Sequence, residues 1–270
     1  MSARRALAAV AAVLLLIGSG ASRGAPPPPR VEQGPRATSA LRVGMLAERI
    51  AKLHAQVGQG ILAERSKRAL VATIRDFDAT LKALAASAPP GEIRDNYVLL
   101  SLLWNDYREF ALRAPTRENA RKLRERNEEV AWIAAKGARM IQEHARAATN
   151  GSAVRAAGAA MLSQRIPKLY LWRRWEMRDE GLARELREAE ENLRRTLDTL
   201  LAAPDNTPEI AAELQVAENQ FRFMADAARS FEGRQPAARH IEFIAKTGDH
   251  ILEAMERAAR LYQKENREGG

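Results

Sequence analysis

Residues 45–54 read MLAERIAKLH, and residues 161–170 read MLSQRIPKLY, an offset of 116 residues (161 − 45). Six of the ten positions are identical, among them Arg49 with Arg165 and Lys52 with Lys168. In each copy the apolar residues recur three and four apart, so the string forms one stripe of a helix. A helical signature that returns once at a fixed distance marks two tandem units that open alike. At the same offset Thr80 pairs with Thr196, Leu81 with Leu197 and Leu84 with Leu200, so the repeat extends past the string. Ala135 and Lys136 meet Ala245 and Lys246 only at an offset of 110 (246 − 136), as a shorter inter-helix loop in the second unit would produce.

The rest of the chain reads as helices and their punctuation. A long helix is expected over 39–86, with Gly58 and Gly60 as its weak point, ended by the turn Pro89, Pro90, Gly91. A shorter one carries Tyr97, Leu100, Trp104, Tyr107 and Phe110 and stops where Ala114 meets Pro115. Thr116 caps a third that runs to about residue 148, with Asn150 and Gly151 as a left-handed exit. The second unit repeats the plan. Its long helix covers 152–203 with a kink at Pro167, and Thr207, Pro208 and Glu209 start the next. The last helix presents Ile241, Ile244, Ile251, Met255 and Leu261. The expectation is an all-α protein of two tandem antiparallel helical modules, 38–149 and 152–267, each long, medium, long and paired within the chain.

Composition narrows the setting. With 270 residues, 46% hydrophobic, the chain buries a core without disulfides, and it has no cysteine. Arg4 and Arg5 precede an apolar run over 6–17 and small residues up to Ala25, the layout of a cleaved secretory signal over 1–25. A proline-rich linker follows over 26–37 and is expected to form a disordered tether. Cleavage removes Arg4, Arg5 and Arg23, so the formal charge falls from +9 to +6 (9 − 3). A periplasmic chain of this charge suits small anions or an anionic membrane face, and nucleic acid is set aside as a partner. An uncleaved signal would instead anchor the chain to the membrane.

The candidate site lies in the repeated string. At 100° per residue Arg165 shares a stripe with Gly158, Met161, Leu162, Leu169 and Trp172, and Arg49 does the same with Met45, Leu46 and Leu53. A guanidinium in an apolar seam needs a carboxylate, a row of carbonyls or a bound anion. Three readings stay open: an ion pair with an acid on a facing helix, an aliphatic stem packed against the seam with its head in solvent, or a small-ligand site. His54, His144, His240 and His250 lack the spacing of a metal site, and no nucleophile elbow, phosphate loop or dinucleotide fingerprint occurs. No cofactor, metal or catalytic residue is assigned, and the chain is not read as an enzyme. Trp104, Tyr107 and Phe110 are read as core, whereas Trp172 and Trp175 beside Arg173 and Arg174 suit an interface. Lys136 and Lys246 suit carbonyl capping near helix ends or a second basic contribution to a site.

The segment Met161, Leu162, Ser163, Gln164, Arg165, preceded by AAGAA, resembles the signature of PilJ-type, NarX-like periplasmic sensor domains, and Met45 to Arg49 is a second copy. The resemblance covers residues 38–262. It implies a helical-bundle input domain that pairs with a second copy and grips a small oxyanion between facing first helices. On that resemblance Arg165, Arg49, Gln164 and Ser163 are ligand-binding candidates. The family's arginine just before Met is Gly44 in one unit and Ala160 in the other, and Arg42, one turn back from Met45 on the same stripe, is the candidate substitute in the first unit. Glu48, beside Arg49, would oppose an anion there. The expected function is an exported, sensor-type ligand-binding module that takes a small oxyanion and acts with a separate envelope receptor or sensor kinase. The alternative is an adaptor bundle that docks an envelope protein without a small ligand.

Overall fold

The computed structural model describes residues 33–144, 151–177, 180–231 and 234–268, and over these the chain is all-helical. Eight helices follow in order among the described residues: α1 (Gln33–Gly58), α2 (Ala63–Ser87), α3 (Glu92–Leu112), α4 (Arg117–His144), α5 (Gly151–Arg174), α6 (Glu180–Leu201), α7 (Pro208–Arg229) and α8 (Ala238–Glu268). Each half thus has four helices, not three. The first long helix of each half is two, broken at the same place.

The break is a left-handed helix ending. In the first half Gly60 has φ +70°, its N–H donates to the Val57 carbonyl, and the next N–H, of Ile61, reaches back to Gln56 at 2.9 Å. In the second half Glu176 has φ +57°, its N–H donates to Arg173, and Met177 reaches back to Trp172 at 3.1 Å. Gly60 and Glu176 are 116 apart, so the repeat includes its turn. The paired bonds close the last helical carbonyls, and Ile61 and Met177 are both buried beneath the turn. The expected kink at Pro167 is not where the long helix ends, because α5 runs on through Pro167. Pro167 cannot donate to the Ser163 carbonyl, and Gly248 of α8 lies against both: a Cβ there would stand 2.6 Å from that carbonyl and 2.7 Å from Pro167 Cγ.

Packing follows the duplication. α1 packs against α2 and α4 as α5 does against α6 and α8, and α3 lies on α4 as α7 does on α8. α1 and α5 join the halves. Gly44 faces Met161, Arg49 faces Gln164 and Gln59 donates to the Leu171 carbonyl, so the two helices run parallel and nearly in register. Gly58 is required at this seam, since a Cβ would stand 2.1 Å from the Pro115 carbonyl and 2.4 Å from the Trp175 ring. Trp172 is buried there as well, so both tryptophans belong to the junction within the chain.

Elsewhere the cores fill as the helical spacing predicts. Phe77 stacks on Trp104 at 3.8 Å between centroids, and Tyr107 donates to the Ala47 carbonyl at 2.7 Å. Thr207 caps α7 by accepting the Ile210 N–H, and the Thr116 side chain accepts from Asn119 ahead of α4. α1 begins at Gln33, inside the stretch expected as tether, while residues 1–32, with the expected signal and the proline run, lie outside the described residues. Asn150 also lies outside them, and Gly151 is the first residue of α5 rather than a left-handed exit. No described helix is long and apolar enough to cross a membrane.

Candidate functional site

Two charged centres lie along the α1–α5 junction, one around each copy of the repeated string. In the first, Arg49 and Lys52 stand one turn apart on α1 and both reach Asp249 Oδ1 on α8, at 3.0 and 2.6 Å. Gln164 of α5 approaches from the other half, with its carbonyl oxygen 3.4 Å from Arg49 Nη1 and its amide donating to Ser163 Oγ and the Gly248 carbonyl. Lys52 and Gln164 are fully buried, whereas the Arg49 side chain is 23% exposed. Among the described residues, Nε and Nη2 of Arg49 meet no protein acceptor.

In the second centre, Arg165 and Lys168 stand one turn apart on α5. Arg165 donates to Glu48 of α1 at 2.8 Å, to Glu128 of α4 at 3.0 Å and to Glu185 of α6 at 3.4 Å. Lys168 reaches the other oxygen of Glu48, Glu128 at 3.0 Å and the Asn127 side-chain carbonyl at 2.6 Å, with its ammonium over the Trp172 ring. Glu48 and Lys168 are both fully buried. Arg124 pairs with Glu185 at the rim.

The repeat exchanges one residue between these centres. Glu48 and Gln164 are equivalent, each just before its arginine, and each leans across the junction to the arginine of the other half. In one direction a carboxylate arrives, and in the other an amide. The second centre therefore sets Arg165, Lys168 and Arg124 against Glu48, Glu128 and Glu185. The first sets Arg49 and Lys52 against Asp249, the one acid that reaches them among the described residues.

The titration behaviour follows that difference. Burial, with Arg49 and Arg65 close by, pulls the Lys52 ammonium down to about 8 despite Asp249. Burial alone would raise Asp249, but Lys52 and Arg49 outweigh it and hold the carboxyl below its usual range. In the second centre burial of Glu128 is likewise outweighed by Lys168 and Arg165, which bring it to about 2. Arg165 is held more firmly protonated by Glu48, against the cost of its burial. Glu185 is raised by burial and by Glu128 beside it, in spite of Arg165 and Arg124.

Of the residues expected at the site, the fold brings Arg49, Gln164 and Ser163 together and sets Arg165 in the other centre. Arg42 joins neither: it pairs with Glu256 of α8, and Asp76 is 3.9 Å away. Glu48, expected to oppose an anion at Arg49, turns to Arg165 and Lys168 instead. Asp249, Glu128 and Glu185 were not singled out by sequence, because nothing in helical spacing tells which acid on a distant helix faces the junction. Lys52 and Lys168 carried a signal, since both recur in the string, yet their burial is invisible without the fold. Lys136 and Lys246 are neither caps nor part of the site: Lys246 pairs with Glu242 one turn away on α8, and Lys136 lies near the Trp132 ring.

No family model, curated protein or solved structure matches the chain.

Proposed function

We propose that the chain is an exported, non-enzymatic sensor-type module of PilJ-like design that takes a small anion at the Arg49–Lys52 centre and works with a separate receptor of the cell envelope. One observation carries this reading: among the described residues Arg49 and Lys52 share the single carboxylate of Asp249, and the Arg49 guanidinium keeps an edge free of protein acceptors. Charge left uncompensated in a partly buried site attracts a counter-ion, and a guanidinium edge matches the two oxygens of a planar oxyanion. The Arg165 centre is less suited, because its own glutamates already hold its cations. Export rests on the arginine-led apolar run at the N-terminus.

The test is thermal unfolding at low salt with sodium nitrate, nitrite or chloride at matched ionic strength. Nitrate or nitrite raises the midpoint of the native chain relative to chloride, and Arg49→Ala abolishes the rise. Equal midpoints in all three salts would sink the anion reading. An adaptor bundle is the second reading, favoured by the exposed Val98, Leu99 and Leu102 on α3 and Phe223 on α7.

A further inference from the structure

The two halves lend each other the residue before the arginine, and that residue differs. Glu48 spans Arg165 and Lys168 with its two oxygens, at 2.8 and 2.5 Å, and is wholly out of solvent. A carboxylate that bridges a guanidinium and an ammonium in this way makes the contacts that a small bidentate anion would make. The equivalent Gln164 brings no charge, and its amide is committed to Ser163 and Gly248. Only its carbonyl oxygen faces Arg49, at the long distance of 3.4 Å.

We infer that Glu48, backed by Glu128, is a built-in anion that fills the Arg165–Lys168 centre, so that the chain takes one small oxyanion, at the Arg49–Lys52 centre, which stays open because the residue brought to it from the other half is the neutral Gln164. The ligand class is a monovalent anion with two oxygens on one edge, of the nitrate, nitrite or small carboxylate kind, since that is the shape Glu48 presents to the matching cations. This rests on the anion reading above and adds to it the number of sites and the device that closes one of them.

A carboxylate brought to Arg49 competes directly with an incoming anion, while a neutral residue of like size does not. Isothermal calorimetry at low ionic strength, with sodium nitrate, nitrite and formate as probes, tests this on the full mature chain. The native chain binds one equivalent. Gln164→Glu weakens that binding at least about tenfold, by placing one further unit charge against the site. Gln164→Met, neutral and unbranched, keeps it. Glu48→Gln makes the two halves alike at this position, but Glu128 still spans Arg165 and Lys168 with its two oxygens, so the stoichiometry rises toward two only when Glu128→Gln is added to it.

Circular dichroism melts confirm that each variant is folded before titration, and Gln164→Glu, which adds a carboxylate beside cations, carries the test if Glu48→Gln does not fold. A native chain that binds none of the probes overturns both this inference and the anion reading. One equivalent in the native chain with Gln164→Glu binding unchanged, or two equivalents in the native chain, overturns this inference and leaves the anion reading standing.

Discussion

The two centres share an arginine, a lysine one turn on and a neighbour reaching over from the other half, yet one is saturated with carboxylates and the other holds a single one. The difference teaches how a duplicated scaffold divides labour. Burying a lysine costs several kcal/mol unless it is paired, so each half had to supply acids for its partner's cations. The second centre met that demand twice, through Glu48 and Glu128, with Glu185 added from its own half. The first met it once, through Asp249, and keeps the excess positive charge on which the proposed anion site rests.

Redundancy sets the largest expected effect. Asp249→Ala leaves the fully buried Lys52 with no carboxylate within reach and destabilises the fold by about 4 kcal/mol at pH 7 in denaturant titrations. Glu128→Ala costs about 2 kcal/mol, because Glu48 still holds both Arg165 and Lys168. Raising the pH from 7 to 9 returns part of the Asp249→Ala loss, since Lys52, pulled down to about 8 with Asp249 beside it, sheds its proton in the folded native chain and the ion pair that the variant lacks is then worth less. Equal costs for the two substitutions, or no recovery at pH 9, would break the comparison.

A smaller contrast lies at the next equivalent pair, His54 and Tyr170. Burial pushes His54 down to about 4, so between pH 6.5 and 4 the unfolded chain binds a proton that the folded chain refuses. Stability from this group is therefore whole above pH 6.5 and lost on acidification, by about 3 kcal/mol once pH 4 is passed. His54→Leu flattens the stability curve in that window. The remaining acid loss, below about pH 4.5, belongs to the depressed carboxyls of Glu128 and Asp249. An unchanged slope between pH 6.5 and 4 would show that His54 does not carry it.

The smallest effect concerns the turn. Gly60 and Glu176 adopt the same left-handed conformation, but only the first is a residue that does so without a Cβ penalty. Glu176→Gly should raise stability by about 0.5 to 1 kcal/mol, and Gly60→Ala should lower it by about 1 kcal/mol, with nothing nearby for the new methyl to strike. Opposite signs in the two halves would sharpen the view that the turn is inherited and imperfectly maintained in the second.

Much of this fold was legible in the sequence, because duplication gives each helical stripe a second witness. Thr207 announced its cap, Trp104 and Tyr107 their core positions, and the string itself the α1–α5 pair. The break after Gly58 was visible through its glycines. Its twin at Glu176 was not, since a glutamate in a left-handed turn breaks the propensity rule, and Pro167, the residue that propensity marks for a break, stands nine residues earlier. The site was half legible. Arg49 and Arg165 advertised a need for negative charge, but which of the many surface acids meets it depends on helix order and rotation. So Glu48, adjacent to Arg49 in sequence, serves Arg165 in space.

The central claim, that the halves differ in an open and a filled centre, is tested most directly by diffraction from crystals soaked in sodium bromate at low salt. Bromate is a small monovalent oxyanion whose bromine gives a usable anomalous signal. The account predicts an anomalous peak beside the free edge of Arg49 and none between Arg165 and Lys168. A peak at Arg165 with the Arg49 edge empty would contradict it.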